Sequence, residues 1–170
     1  MKFLLSILTL AFFSFASASL FNGQTILEEK FPVPGKNPLL FCTDPSNDIL
    51  TVEDVELAPN PPLPGKTLKI EAHGVFKEKV EKDAYMYLTV KYGLVRIIYQ
   101  KEDLCDQLKN NVDQDCPVGP GPVKFTKEVD IPAQVPPGKY TVQADVFTKD
   151  DVKITCLKAE IQFNRPGSDA

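Results

Sequence analysis

The chain of 170 residues has a single histidine, His73, no Gly-x-Ser-x-Gly turn and no Cys-x-x-Cys pair. Those gaps leave nucleophile-and-base catalysis without its usual parts and remove the close ligand spacing of a zinc site. The carboxylate pairs Glu53-Asp54 and Asp150-Asp151 read as solvated faces and turns rather than acid–base machinery. The oxygen-rich stretch 110–115 lacks the central glycine and terminal glutamate of an EF-hand. No catalytic residue, metal or cofactor is therefore expected. There is also no Asn-x-Ser/Thr acceptor, so glycosylation does not help to choose between export and an organelle lumen. Positive charge is not in excess either: the net charge is −4. Nucleic acid, which needs a basic footprint, is excluded as a partner, while a local basic patch could still meet an anionic membrane.

Long hydrophobic runs are confined to the beginning. Lys2, the apolar run from Phe3 to Phe15 and then Ala16-Ser17-Ala18 form the pattern of a secretory signal peptide over 1–18. The run is several residues short of the ~20 that a membrane-spanning helix needs. The C-terminal residues 165–170 are polar and offer no lipid-anchor tail. A soluble, monomeric protein of the secretory pathway is expected, either secreted or held in a vacuolar or lysosomal lumen. In that oxidising setting Cys42, Cys105, Cys116 and Cys156 should pair. Of the three pairings, Cys105 with Cys116 would close the short polar loop 106–115, which leaves Cys42 to meet Cys156 across the domain.

With 43% hydrophobic and 25% charged residues the chain reads as one globular domain. A Pro-containing lead over 19–37 is either a propeptide or a loose arm, and the domain proper runs from 38 to 164. Within it, short alternating runs are separated by proline and glycine, which is the pattern of an all-β domain. Ile49 to Leu57 is stopped by the segment 59–65, which is too rich in proline to join a central ladder. Leu68, Ile70, Ala72, Gly74 and Phe76 alternate with Lys69, Glu71, His73 and Lys77, so one face is apolar. Tyr85 to Tyr99 is apolar on both parities and is broken at Gly93 by a bulge or turn. Phe125, Val129 and Ile131 make the next strand. Pro136-Pro137-Gly138 then turns the chain into Tyr140, Val142, Ala144 and Val146, and Ile154 to Phe163 ends the domain. About seven strands with no long amphipathic helix predict an immunoglobulin-like β-sandwich. Pro137-Gly138-Lys139-Tyr140 has the form of a tyrosine corner.

Phe41-Cys42, Leu104-Cys105, Asp115-Cys116-Pro117-Val118 and Thr155-Cys156 occur in an order and spacing that resembles the ML (lipid-recognition) domain family. Within that family the likeness is to the fungal phosphatidylglycerol/phosphatidylinositol transfer proteins, relatives of the Niemann-Pick type C sterol carrier. Ile131 to Tyr140 resembles the family's Pro-rich turn before its penultimate strand. The likeness covers about Leu39 to Phe163. It implies a two-sheet sandwich with an apolar cavity between the sheets and the pairs Cys42–Cys156 and Cys105–Cys116. The sterol carrier has a further disulfide in the segment equivalent to Pro59–Gly65, where this chain has no cysteine. Sterol specificity therefore does not transfer directly.

A diacyl phospholipid leaving a bilayer exposes about 30 methylenes at ~0.8 kcal/mol each, a barrier of over ~20 kcal/mol. An apolar cavity lowers that barrier with no covalent chemistry. The resemblance thus implies a non-enzymatic carrier of phosphatidylglycerol or phosphatidylinositol that touches membranes transiently. A sterol carrier of the same fold, or a solid-cored immunoglobulin-like module that binds a protein, are the alternatives. Candidate cavity residues are Phe76, Tyr87, Val90, Tyr92, Val95, Ile97, Phe125, Val129, Ile131, Val135, Tyr140, Val142 and Val146. The resemblance puts the mouth near Val95, Ile97 and Val135, and Lys91, Arg96 and Lys139 are candidates for the phosphate.

Overall fold

A computed structural model describes residues 30–112 and 115–164. The expected signal peptide over 1–18, the lead over 19–29 and the tail over 165–170 lie outside the described residues. Nine strands and one helix follow in the order β1 Phe31–Pro32, β2 Leu39–Phe41, β3 Leu50–Ala58, β4 Thr67–Phe76, β5 Tyr85–Tyr92, β6 Val95–Asp103, α1 Leu104–Val112, β7 Gly121–Asp130, β8 Gly138–Phe147 and β9 Lys153–Phe163. They form two antiparallel sheets, one ordered β1-β2-β9-β8-β5-β6 and the other β3-β4-β7. The immunoglobulin-like sandwich is thus observed, with nine strands instead of about seven. The two additional strands, β1 and β2, are only two and three residues long, and strands that short leave no periodic signal.

Alternation explains which side of each strand faces in. Leu68, Ile70, Ala72, Gly74 and Phe76 lie on one face of β4, while His73 is exposed on the other, opposite Asp54 and Lys124. In β3 the inward set is Leu50 and Val52, then Val55 and Leu57. A register shift between Val52 and Asp54 resets the parity, so a strand that looks irregular in sequence still presents one apolar face. The break near Gly93 is a hairpin turn: Tyr92 pairs with Val95, and Gly93 takes φ +56°, which glycine adopts without strain.

Two buried clusters hold the sheets together. Ile49, Phe76, Val80, Ala84, Leu108, Val118 and Ile154 fill the end where β3, β7 and β9 begin and β4 and β8 finish. Val33, Phe41, Val52 and Val55, with Leu39, Leu57, Ala72 and Leu157 packed on them, close the side formed by β1, β2 and β3. Each fully buried Val, Leu, Ile or Phe among them contributes about 1.5–3 kcal/mol by leaving water. Residues 31–37 of the lead belong to this second cluster: Val33 is buried, Phe31 pairs with Phe41, and the Asn37 amide donates to the carbonyl of Val55 at 2.8 Å.

The segment read as a polar disulfide loop begins as a helix, which corrects that reading. Asp103 caps α1 by accepting the amide of Asp106 at 3.0 Å, and Leu104, Leu108 and Val112, four residues apart, turn to the buried end. Nine residues with only one fully buried position gave too short an apolar stripe to stand out. Both expected disulfides are present, Cys42–Cys156 and Cys105–Cys116. The tyrosine corner is also formed, with the Tyr140 hydroxyl donating to the Pro136 carbonyl at 3.0 Å.

Candidate functional site

Closing one end and one side leaves the opposite end and side to be accounted for. The free end is ringed by three connections: 59–66 after β3, the Gly93-Leu94 turn, and 131–137 before β8. The free side lies between β6 and β7, the outer strands of the two sheets. Toward these openings most inward positions stop being fully buried, while Tyr140 and Phe163 stay buried against each other at the free end. Met86, Leu88 and Val90 on β5, Val142 and Ala144 on β8, Leu68 and Ile70 on β4 and Phe125 on β7 are all only half-buried, and Ile98 and Val129 are exposed. In a solid sandwich the side chains of the two inner faces interdigitate and exclude solvent. Here the apolar inner faces form a cleft that is packed shut at one end and open at the other.

The inward parity is fixed by register. Leu157 packs with Phe41 and Val52 in the closed-side cluster, and Leu157 pairs with Ala144, which pairs with Leu88. Val146, also on this parity, packs on the closed end. Val90, Val142, Phe125 and Val129 therefore face inward toward the open part, where the first three sit only half-buried and Val129 is exposed. Phe76 and Val146 also face inward but belong to the closed end, where they act as its floor.

Tyr140 and Tyr92 sit on paired positions at the open end, with ring centroids 5.1 Å apart. The Tyr92 hydroxyl donates to the Pro137 carbonyl at 3.0 Å, so this ring braces the Pro-rich turn. Glycine is required at 138, since a Cβ there would lie 2.6 Å from the Tyr92 ring. Ile131, half-buried, is tied to the connection after β3 through Gly65 N donating to Ile131 O at 2.9 Å. Val135 is half-buried in the same rim. Val95 and Ile97 stand at 64% and 52% exposure on the hairpin that follows, beside a fully exposed Leu94.

Tyr87 is a correction. It lies on the outer face, stacked on Tyr99 at 5.1 Å with planes 5° apart, and the Lys101 ammonium approaches the Tyr85 and Tyr87 rings. Because β5 is apolar on both parities, its sequence could not say which set points in. Tyr85, on the same outer face, donates to the Asp151 carboxylate at 2.6 Å, and that bond pushes its phenol up to about 12.

The three phosphate candidates lie together but outside the cleft. Lys91 and Arg96 are register partners on the outer side of the hairpin, and Gly93 N donates to Lys139 O at 2.9 Å. The Arg96 guanidinium sits 4.5 Å from the centre of the Tyr99 ring, and Lys139 is paired with Glu160 at 2.8 Å. They form an exposed basic fringe at the open end.

Sequence reasoning missed a polar group on the inner faces. Lys127 of β7 continues the inward series Val123, Phe125, Lys127, Val129, and its ammonium donates to Gln107 Oε1 of α1 at 2.8 Å. Gln107 Nε2 in turn donates to Glu102 of β6 at 2.7 Å, and Glu102 pairs with the inward Met86. Two-residue spacing from Phe125 was the signal that could have found Lys127. Two surface clefts beside Asp83 and Asp103, one of them reaching Cys105, are lined mostly by charged residues at the closed end and do not suit hydrocarbon.

Comparison with known proteins agrees with this geometry. The pattern of the ML domain matches residues 36–163. A phosphatidylglycerol/phosphatidylinositol transfer protein of Aspergillus oryzae is 59% identical over 135 residues, covering 79% of this chain and 77% of its own. One of the same name from Pyricularia oryzae is 46% identical over 169 residues, 97% of this chain and 94% of its own. Among solved structures, a Niemann-Pick type C2 protein from Japanese carpenter ant superposes with a TM-score of 0.52 at 10% identity, covering 73% of this chain and 97% of its own. Chicken MD-1, crystallised in complex with lipid IVa, gives 0.50 at 14% identity, covering 80% and 99%. At such identities these two likenesses speak for the fold alone. The matched pattern, the two cysteine pairs and the half-open sandwich together establish that this chain belongs to the ML domain family.

Proposed function

We propose that this protein takes one phosphatidylglycerol or phosphatidylinositol molecule into the cleft between its sheets and carries it between membranes. The observation that carries the reading is the contrast between a closed end with fully buried Val80, Ala84 and Ile154 and the part of the inner faces toward β6 and β7, where Val90, Phe125 and Val142 are only half-buried and Ile98 and Val129 are exposed. Acyl chains suit that contrast, because they would replace water against Val90, Phe125, Val129 and Val142. The names of the relatives supply the headgroups.

The work is binding and release, with no bond made or broken. Two disulfides suit a chain that folds in the secretory pathway, and the N-terminal pattern over 1–18 supports entry by a signal peptide. Among the described residues no helix is long and apolar enough to cross a membrane. The exposed hairpin at Leu94 supports transient membrane contact.

Native mass spectrometry of the purified protein, followed by extraction of the adduct, tests the reading. A one-to-one phospholipid adduct is expected. A sterol adduct would keep the carrier and change the cargo. A clean apo mass after mixing with phosphatidylglycerol and phosphatidylinositol vesicles would overturn the carrier in favour of a protein-binding module.

A further inference from the structure

Lys127, Gln107 and Glu102 are, with Gln100, the polar side chains on inward positions that are otherwise aliphatic or aromatic toward the opening between β6 and β7. A cation on an apolar wall is costly unless it is partnered. Among the described residues Lys127 has no carboxylate within ion-pair distance, and its ammonium donates to the neutral amide of Gln107 at 2.8 Å. An ammonium has three donors, so two N–H bonds are left to point elsewhere. Gln107 also holds Glu102 away from Lys127, accepting from one and donating to the other. The result is an ordered row, cation then amide then carboxylate, spanning the gap between the two sheets.

We propose that this row is the recognition site for an anionic phosphodiester headgroup that carries hydroxyls. The inference rests on the phospholipid-carrier reading and specifies where its headgroup is read. Lys127 pairs with the phosphate as a compact point charge, which is how lysine binds phosphate. Glu102 spends one oxygen on Gln107, and its remaining lone pairs accept hydroxyls of the glycerol or inositol beyond the phosphate. Lys127 lies three residues from the end of β7, about 10 Å along the strand from the open rim. A headgroup at that depth leaves the acyl chains against the aliphatic walls on either side. Choline offers no hydroxyl to Glu102 and neutralises its own phosphate, so phosphatidylcholine gains little from the row.

The test is transfer of labelled phosphatidylglycerol, phosphatidylinositol, phosphatidic acid and phosphatidylcholine between vesicles by wild type, Lys127→Met, Lys127→Arg and Glu102→Gln. Lys127→Met is expected to lower the ratio of phosphatidylglycerol to phosphatidylcholine transfer by about tenfold or more, the scale of a hydrogen bond to a charged group. Lys127→Arg should restore most of that ratio. Glu102→Gln should lower phosphatidylinositol transfer relative to phosphatidic acid, which has a phosphate but no polyol. If Lys127→Met slows all lipids equally, the lysine only holds α1 to β7 and the proposal fails while the carrier reading stands. A wild type that moves no phospholipid would remove the carrier reading, and this site with it.

Discussion

The carboxylate of Asp48, only 1% exposed, lies 2.6 Å from the ammonium of Lys153, which also donates to Thr43 Oγ1 at 3.0 Å. The pair staples the loop after Cys42 to the start of β9, three residues before Cys156. It thus positions the two sulfurs that the long disulfide joins.

Lys153→Met should therefore be more damaging than its partly exposed position suggests. It strands a buried carboxylate, and we expect a loss of about 2–4 kcal/mol, less than the upper range for a fully buried pair because the ammonium end meets solvent. Urea denaturation of oxidised protein measures it. A loss under ~0.5 kcal/mol would mean that water or loop movement relieves Asp48.

The two disulfides should differ in weight. Cys42–Cys156 spans 114 positions and Cys105–Cys116 spans 11. The chain-entropy model then gives about 5 kcal/mol for the first and about 3 kcal/mol for the second. Paired serine variants, Cys42→Ser with Cys156→Ser against Cys105→Ser with Cys116→Ser, are expected to rank in that order by denaturant midpoint. Equal losses would point to a role of the short bridge in fixing α1 that entropy does not describe.

Much of this fold could be read along the chain, and particular residues show where that stopped. Leu68 to Phe76 alternates with the single exception of Val75, so its inner face was legible. In β5 both parities are apolar, and only pairing across β8 tells Leu88 and Val90 from Tyr85 and Tyr87. The cation of Lys127 looked like any strand lysine until Gln107, 20 residues away, was brought against it. That Lys91 and Arg96 stand on the outer side of the hairpin was not legible either, because alternation fixes a face only when one neighbour's direction is already known.

Tyr85 gives a pH dependence. Its hydroxyl donates to Asp151, and its ionisation is raised to about 12 from an ordinary 10. A raised folded-state value means the bond adds stability at pH below about 10, and this is lost as pH rises from about 10 through about 12. Titration of phenolate absorbance should show one of the five tyrosines ionising late for this reason. Asp151→Asn should bring it back toward 10. If the late tyrosine persists in Asp151→Asn, it is Tyr140, whose phenol is raised by burial and by Tyr92.

The hairpin tip should decide how the protein meets its membrane. Leu94 is fully exposed, Val95 and Ile97 follow at 64% and 52%, and Lys91 and Arg96 flank them. An edge strand with this much bare apolar surface invites pairing or aggregation unless something covers it. The adjoining cations favour an anionic bilayer, each adding about 1 kcal/mol near such a surface. Leu94→Ser touches nothing inside the fold, so stability should change by less than ~0.5 kcal/mol. Binding to phosphatidylglycerol vesicles should nevertheless fall roughly tenfold or more, since a leucine leaving water is worth about 1.5–3 kcal/mol. Raising the salt should weaken wild-type binding further, as the fringe at Lys91 and Arg96 is screened. If instead the wild type sediments as a dimer that Leu94→Ser dissociates, with vesicle binding unchanged, the edge of β6 is covered by a second copy of the chain and the membrane assignment falls.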